Sequence, residues 1–324
     1  MANISKKLKI YLYALLALTV LCVVLGTLSY LYSFNASIGY FDASALSLAF
    51  AAVCVITVVG ALAIFFIIPR KTIDGAAPNK PAAVVSGIPL CAVSALLGIF
   101  LLISSCFVLP FGPKLHILHG PTKYMTVIGG ILLLISAVYF AMLHRDQERK
   151  SEAKALPGFA VPLACVLLVA ITYFDLEEPM NSPFKMHFQF AMLAFAAFSL
   201  CELRVPLKKP VPRLYPALGI ISVLCSGIAS IPQIVAIMTE KANEKIYLYY
   251  GIFSLCIFVY TVARLCIFAN SQSLVEKTAE PTPEESSETE PDVNNESSEE
   301  ALAPAPEETQ DSESETEDQE NVSE

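Results

Sequence analysis

Tryptophan is absent from this chain, and charge is scarce. Only 16% of the 324 residues are Asp, Glu, Lys or Arg, against 55% hydrophobic. Soluble domains carry nearer a quarter charged residues, so composition excludes an ordinary water-soluble globule. Charge is also missing in a pattern. Apolar runs of about 20 residues recur over residues 1–270, long enough for an α-helix to cross about 30 Å of hydrocarbon. Eight spans are expected, at 10–32, 45–68, 83–107, 124–143, 158–174, 186–203, 215–238 and 246–269. The fifth is short and can recruit Leu156 and Pro157. The fold class is all-α: a polytopic integral membrane protein whose eight transmembrane helices (1–270) form four hairpins, followed by a disordered acidic C-terminal tail (271–324).

Other absences narrow the chemistry. No span carries an ionisable residue at its middle, which disfavours proton relays, ion pumps and voltage sensors. Glu202 and Arg264 lie nearer one membrane face, where they can pair or snorkel. The longest connection, 108–123, leaves no room for a soluble catalytic domain. There is no Walker loop, no GxGxxG and no GxSxG elbow, so neither an enzyme nor a cofactor is expected. Nucleic-acid binding has no basic motif to support it. Nine cysteines all fall within apolar spans, with no CxxC pair, and read as small packing residues.

The net charge of −9 conceals two opposite parts. Residues 1–275 hold 20 Lys and Arg against 11 Asp and Glu, a balance of +9; residues 276–324 hold one Lys and 19 acids, a balance of −18. The tail's Glu, Ser, Thr and Pro cannot bury enough apolar surface to offset chain entropy, so it is expected to be disordered. It can act as a solvating segment, dock on basic inner loops, or recruit a basic cytoplasmic protein. Basic residues also set orientation. Fourteen flank one side of the spans, including Lys6, Lys7, Lys9, Arg70, Arg145, Arg204 and Arg213, whereas the alternate loops hold Lys114, Lys123, Lys185, Lys241 and Lys245. The positive-inside rule then places both termini in the cytoplasm. The first apolar run is too long for a cleaved signal peptide and reads as a retained span. Without a targeting signal, the plasma membrane is the expected location.

Several stretches invite functional readings. Lys123, Lys185 and Lys245 each open a returning span, 62 and 60 residues apart, which raises a repeated hairpin. Lys185 and Arg264 are expected to snorkel to opposite faces, and ten tyrosines near span ends to form the interfacial belt, Tyr30, Tyr215, Tyr247 and Tyr250 among them. Ser222, Ser226, Ser230 and Gln233 share one helical face, as a packing seam or the lining of a bundle cavity. Pro232 leaves the Ile228 carbonyl without its helical donor, the kind of break transporters use.

The stretch YFDLEEPMNSPFKMHFQ, 173–189, is the most polar interruption among the spans. Within it, Ser182 suits an N-cap and Pro183 a first helical position. Asp175, Glu177 and Glu178, with Gln189 a turn below Lys185, define either a solvated elbow or an outer vestibule for a cationic or amine solute. His116 and His119 have a spacing that metal sites use, though in a Gly/Pro-rich loop; no metal is expected. The leading functional expectation is a membrane protein that binds or moves a small solute or lipid within its bundle. A non-catalytic scaffold recruiting cytoplasmic partners is second, and an enzyme acting on lipid headgroups at the outer face third. The bilayer is the expected partner; oligomeric state is open.

Overall fold

The computed structural model describes residues 2–35, 38–67, 81–106, 121–145, 155–175, 182–205, 207, 211–239 and 246–278. His116, His119, Glu177, Glu178, Lys245 and the acidic tail from 279 onward lie outside the described residues. Eight helical segments among the described residues are long and apolar enough to cross a membrane. Six spans are single helices: α1 (Ala2–Tyr32), α2 (Ala45–Ile67), α3 (Pro81–Cys106), α4 (Pro121–Arg145), α7 (Pro183–Leu203) and α10 (Ile246–Thr278). Two are interrupted. The fifth is a short α5 (Ala155–Gly158) running into α6 (Ala160–Tyr173), so Leu156 and Pro157 are recruited; the seventh is α8 (Leu214–Ile228) followed by α9 (Ile231–Met238).

Proline explains much of this punctuation. Pro81, Pro121 and Pro183 each open a helix, where the missing N–H is not needed. Ser182 occupies the N-cap position of α7, but its hydroxyl makes no capping bond. Pro162, Pro216 and Pro232 lie in the first turns of α6, α8 and α9, tolerated for the same reason. The tail begins later than the sequence pattern indicates. Ser271 to Thr278 continue α10, because the first proline past the span is Pro281 and nothing earlier interrupts the hydrogen-bond ladder.

Between α1 and α2, β1 (Phe34–Asn35) pairs antiparallel with β2 (Tyr40–Phe41), placing Phe34 opposite Phe41. The turn carries Gly39 at φ +74°, a conformation that needs no Cβ. This hairpin marks one end of the bundle, here the β end, where α1, α6 and α9 finish and α2, α7 and α10 begin. The far end is where α1 begins and α10 finishes.

The last three spans form the centre. Within the apolar stretch of each span, 61% of residues are buried in α7, 67% in α8–α9 and 61% in α10, against 17% in α2. Between α6 and α8 runs α7; α10 packs on α3, α8 and α9; α1 lies against α2, α8 and α9; α4 joins α3 to α6. The outward faces of the peripheral helices are apolar, with Leu48, Val55, Val59 and Phe66 of α2 exposed, as lipid contact requires.

The closest helix pair is α3 with α4. A Cβ placed on Gly98 would meet the Gly130 carbonyl oxygen at 2.9 Å, and one on Gly130 would meet the Gly98 oxygen at 3.0 Å. Backbone thus touches backbone at this crossing, the approach that small residues permit in membranes. Gly98→Ala is expected to lower the thermal unfolding midpoint in detergent, by about 1–3 kcal/mol of overpacking, since a carbonyl cannot rotate away. Gly87→Ala, whose Cβ has its nearest neighbours at 4.0 Å, is the matched control and should leave the midpoint unchanged.

Candidate functional site

The polar stretch at the α6–α7 elbow is more enclosed than its composition implies. Lys185, in the first turn of α7, is completely buried and donates from Nζ to the backbone carbonyl of Asp175. Gln189, one turn below, donates from Nε2 to Thr172 Oγ1 at 3.4 Å. Both bonds join α7 to the end of α6. Asp175 is half-buried, and the full acidic trio cannot be described because Glu177 and Glu178 fall outside the described residues. Lys185 and Lys123 therefore do not hold equivalent places. Lys123 is exposed on peripheral α4, whereas Lys185 enters the bundle because α7 is packed on several sides. Nor does Lys185 snorkel.

Around it the β end is aromatic. Tyr30 at the end of α1 packs against Phe34, Phe41 and Phe184, with ring centroids 4.8 to 5.5 Å away. Its hydroxyl meets His187 Nδ1 at 3.0 Å and lies beside the Gln233 amide. Gln233 of α9, fully buried, donates from Nε2 to the Phe184 carbonyl at 2.9 Å. These contacts fasten α9 and α1 to the start of α7. Tyr30, Tyr215, Tyr247 and Tyr250, expected at the interface, are buried. The hydroxyls of Tyr30 and Tyr215 find internal partners in His187 and Glu202, so these two need not stay at the water boundary.

The far end holds the chain's most concentrated polar network. Near the end of α7, Glu202 is only 5% exposed, and its carboxylate accepts from three groups. Arg264 Nε of α10 donates to Oε1, Tyr260 Oη of α10 to Oε2 at 2.8 Å, and Tyr215 Oη of α8 to Oε1 at 3.3 Å. Tyr139 of α4 lies close to the pair. Two charges buried together need satisfied lone pairs as well as mutual attraction, and the tyrosines supply that. Arg264 is likewise buried and does not snorkel. The pairing of Glu202 with Arg264 was legible in the sequence; the tyrosine shell was not.

Between the two ends runs the serine seam. Ser222, Ser226, Ser230 and Gln233 are each fully buried. Ser226 and Ser230 turn their hydroxyls back to the Ser222 and Gly227 carbonyls, at 2.6 and 2.9 Å. Ser222 Oγ and Gln233 Oε1 accept or donate nothing among the described residues, and the same holds for Ser254 Oγ and Thr261 Oγ1 of α10. The facing register follows from three close contacts: Gly219 with Leu265, Gly227 with Phe258, and Gly251 with Ile234. That places Ser222 level with Thr261, and Ser230 level with Ser254, on facing stripes of α8–α9 and α10. By this register the unpartnered hydroxyls of Ser222, Thr261 and Ser254 share the α8–α9/α10 contact, whereas the Gln233 amide is turned toward α7 and α1; Ser29 Oγ of α1 and Ser94 Oγ of α3 are likewise without a partner among the described residues.

The seam is broken midway. Ser230 leaves the helical ladder between α8 and α9, at φ −106° and ψ −91°, just after Ala229, whose N–H still bonds the Cys225 carbonyl at 3.0 Å. The Ser230 N–H reaches the Gly227 carbonyl at 3.4 Å in place of a regular helical bond. On the lipid side of this break lies an apolar groove of about 440 Å³, walled by Val20, Val24 and Leu28 of α1, Ile231 and Phe258. The hydroxyl of Thr27, beside them, is used within α1, on the Val23 carbonyl. Cys22, Cys54, Cys91, Cys165, Cys201, Cys225, Cys256 and Cys266 are free thiols.

Comparison with protein-family models, with curated proteins and with solved structures yields no match. Sequence reasoning put Lys185 and Tyr215 at the membrane boundary and gave no role in the bundle to His187, Tyr139 or Tyr260. The available signal was position: all belong to the last spans or abut them, and those spans have polar residues on more than one face.

Removing one member of a buried ion pair leaves the other uncompensated, which typically costs about 3–5 kcal/mol. Glu202→Leu or Arg264→Leu alone should therefore strongly lower the unfolding midpoint in detergent. The double variant Glu202→Leu with Arg264→Leu should recover most of the loss, and calorimetry of the three proteins checks this.

Proposed function

We propose that this membrane protein binds and moves a small, neutral, hydrogen-bonding solute along the α8–α9/α10 seam. The observation that carries this reading is the set of buried, unpartnered hydroxyls on the two facing helices: Ser222 Oγ, Thr261 Oγ1 and Ser254 Oγ. A buried polar group without a partner typically costs about 1–3 kcal/mol. Three on one helix pair ask for partners that packing does not give, and in a working site these come from a ligand or its water. The helix break at Ala229–Ser230 adds unladdered backbone at mid-span, where non-helical chain is tolerated when it lines a pathway.

The lining also restricts the solute. Between Glu202 at one end and Lys185 at the other, the seam offers hydroxyls but no net charge. A charged solute would meet no counter-charge there and would lose its hydration without compensation. Polyols, small amides and similar neutral molecules fit. The seam is tightly packed here, so solute entry requires the helices to separate.

Stability and binding should diverge on substitution. Ser222→Ala and Thr261→Val remove unsatisfied groups, so each should raise or preserve the unfolding midpoint while weakening solute binding several-fold. A thermal-shift screen of polyols, amides and sugars on the purified protein, followed by proteoliposome uptake of any hit, provides the measurement. If no neutral solute stabilises the wild type, and a stoichiometric protein partner co-purifies with it, the scaffold reading replaces this one.

A further inference from the structure

We propose that the Glu202–Arg264 pair with Tyr215 and Tyr260 is a latch that closes the far end of the seam, and that it opens by a swing of α8 about the Ala229–Ser230 break. The inference rests on the seam being the solute path.

Three observations converge on it. The network joins α7, α8 and α10, which flank the seam, and does so only at the far end. At the β end α7 is held separately, to α9 by Gln233 on the Phe184 carbonyl and to α1 by Tyr30 on His187. The two fastenings lie on opposite sides of the break, which divides the seventh span into α8 and α9. Releasing one therefore leaves the other intact. Hinges of this kind concentrate the backbone change in a few residues at the ends of elements.

The chemistry of the cluster suits a fastening that releases. A buried ion pair is a weak way to hold helices together, since well-packed apolar residues often do so equally well. What it provides is directionality and a second stable arrangement. Glu202 is followed after one residue by Arg204, where α7 ends, so a small displacement of α8 brings water to both charges and repays their separation. Tyr215 is the sole latch member on α8, and its 3.3 Å bond is the longest of the three. Its ring packs on Phe198 and Phe268, contacts that can slide without leaving a polar group stranded. Below it, Gly219 faces only the flexible end of Leu265. The apolar groove beside Ile231 supplies space next to the hinge.

The test needs no solute. Ser222→Cys is introduced into the full-length protein in liposomes, and labelling by a membrane-impermeant maleimide is measured from each side, with the native cysteines as background. Adding Glu202→Gln should speed labelling from the far-end side by about tenfold, the population change that about 1.4 kcal/mol produces, and leave the β-end side unchanged. Tyr215→Phe, which keeps the ion pair and is the milder change, should give a smaller increase on the same side and serves if Glu202→Gln does not fold. Unchanged rates in both variants, or equal acceleration from both sides, would overturn the latch. Faster one-sided labelling in a protein that binds no solute would uphold the latch and defeat the transport reading; solute binding with unchanged labelling would do the reverse.

Discussion

Hydrocarbon offers no hydrogen bonds, and the Glu202 carboxylate shows what that constraint demands of the rest of the bundle. A single acid near the end of α7 obliges α10 to bring Arg264 and Tyr260, and α8 to bring Tyr215, to one point. Those obligations fix the rotation of three helices about their own axes. Once α8 and α10 are so rotated, Ser222 and Thr261 must come level with each other, as must Ser230 and Ser254. The seam is thus a geometrical consequence of the ion pair. At the opposite end Lys185 and Gln233 each donate to a backbone carbonyl, of Asp175 and Phe184.

The division between a polar centre and an apolar periphery follows from the same logic. Helices with little to satisfy, such as α2, face lipid; helices with much to satisfy are enclosed. That is why a tyrosine or lysine near a span end takes different positions in different spans. Lys123 on α4 stays exposed and Lys185 on α7 is swallowed, although their sequence settings match closely.

Local rules therefore recovered the eight spans well. Charge-free runs gave their number, Pro183 marked the start of α7, and Pro232 marked the break that matters for the seam. They also put Ser222, Ser226, Ser230 and Gln233 on one face and allowed Glu202 to meet Arg264. What escaped was everything that depends on which helix lies next to which. The Lys185–Asp175 bond, the Tyr30–His187 bond and the tyrosines on Glu202 each join residues 10 to 157 positions apart. No periodicity within one span encodes such a neighbour. The end of α10 was misjudged for a different reason: composition changes at residue 271, but a helix persists until something in its backbone stops it.

The glycine contact between α3 and α4 bears on how such a molecule can move at all. Gly98 and Gly130 lock two backbones together with no side chain between them, so no rotamer change can adjust their spacing. This pair is a strut, stiff in the way a cast joint is stiff, and α10 leans on α3 along its length. Any motion in the seam is then asymmetric by construction. One wall is braced by a fixed post while the other, carrying the broken helix, supplies the compliance.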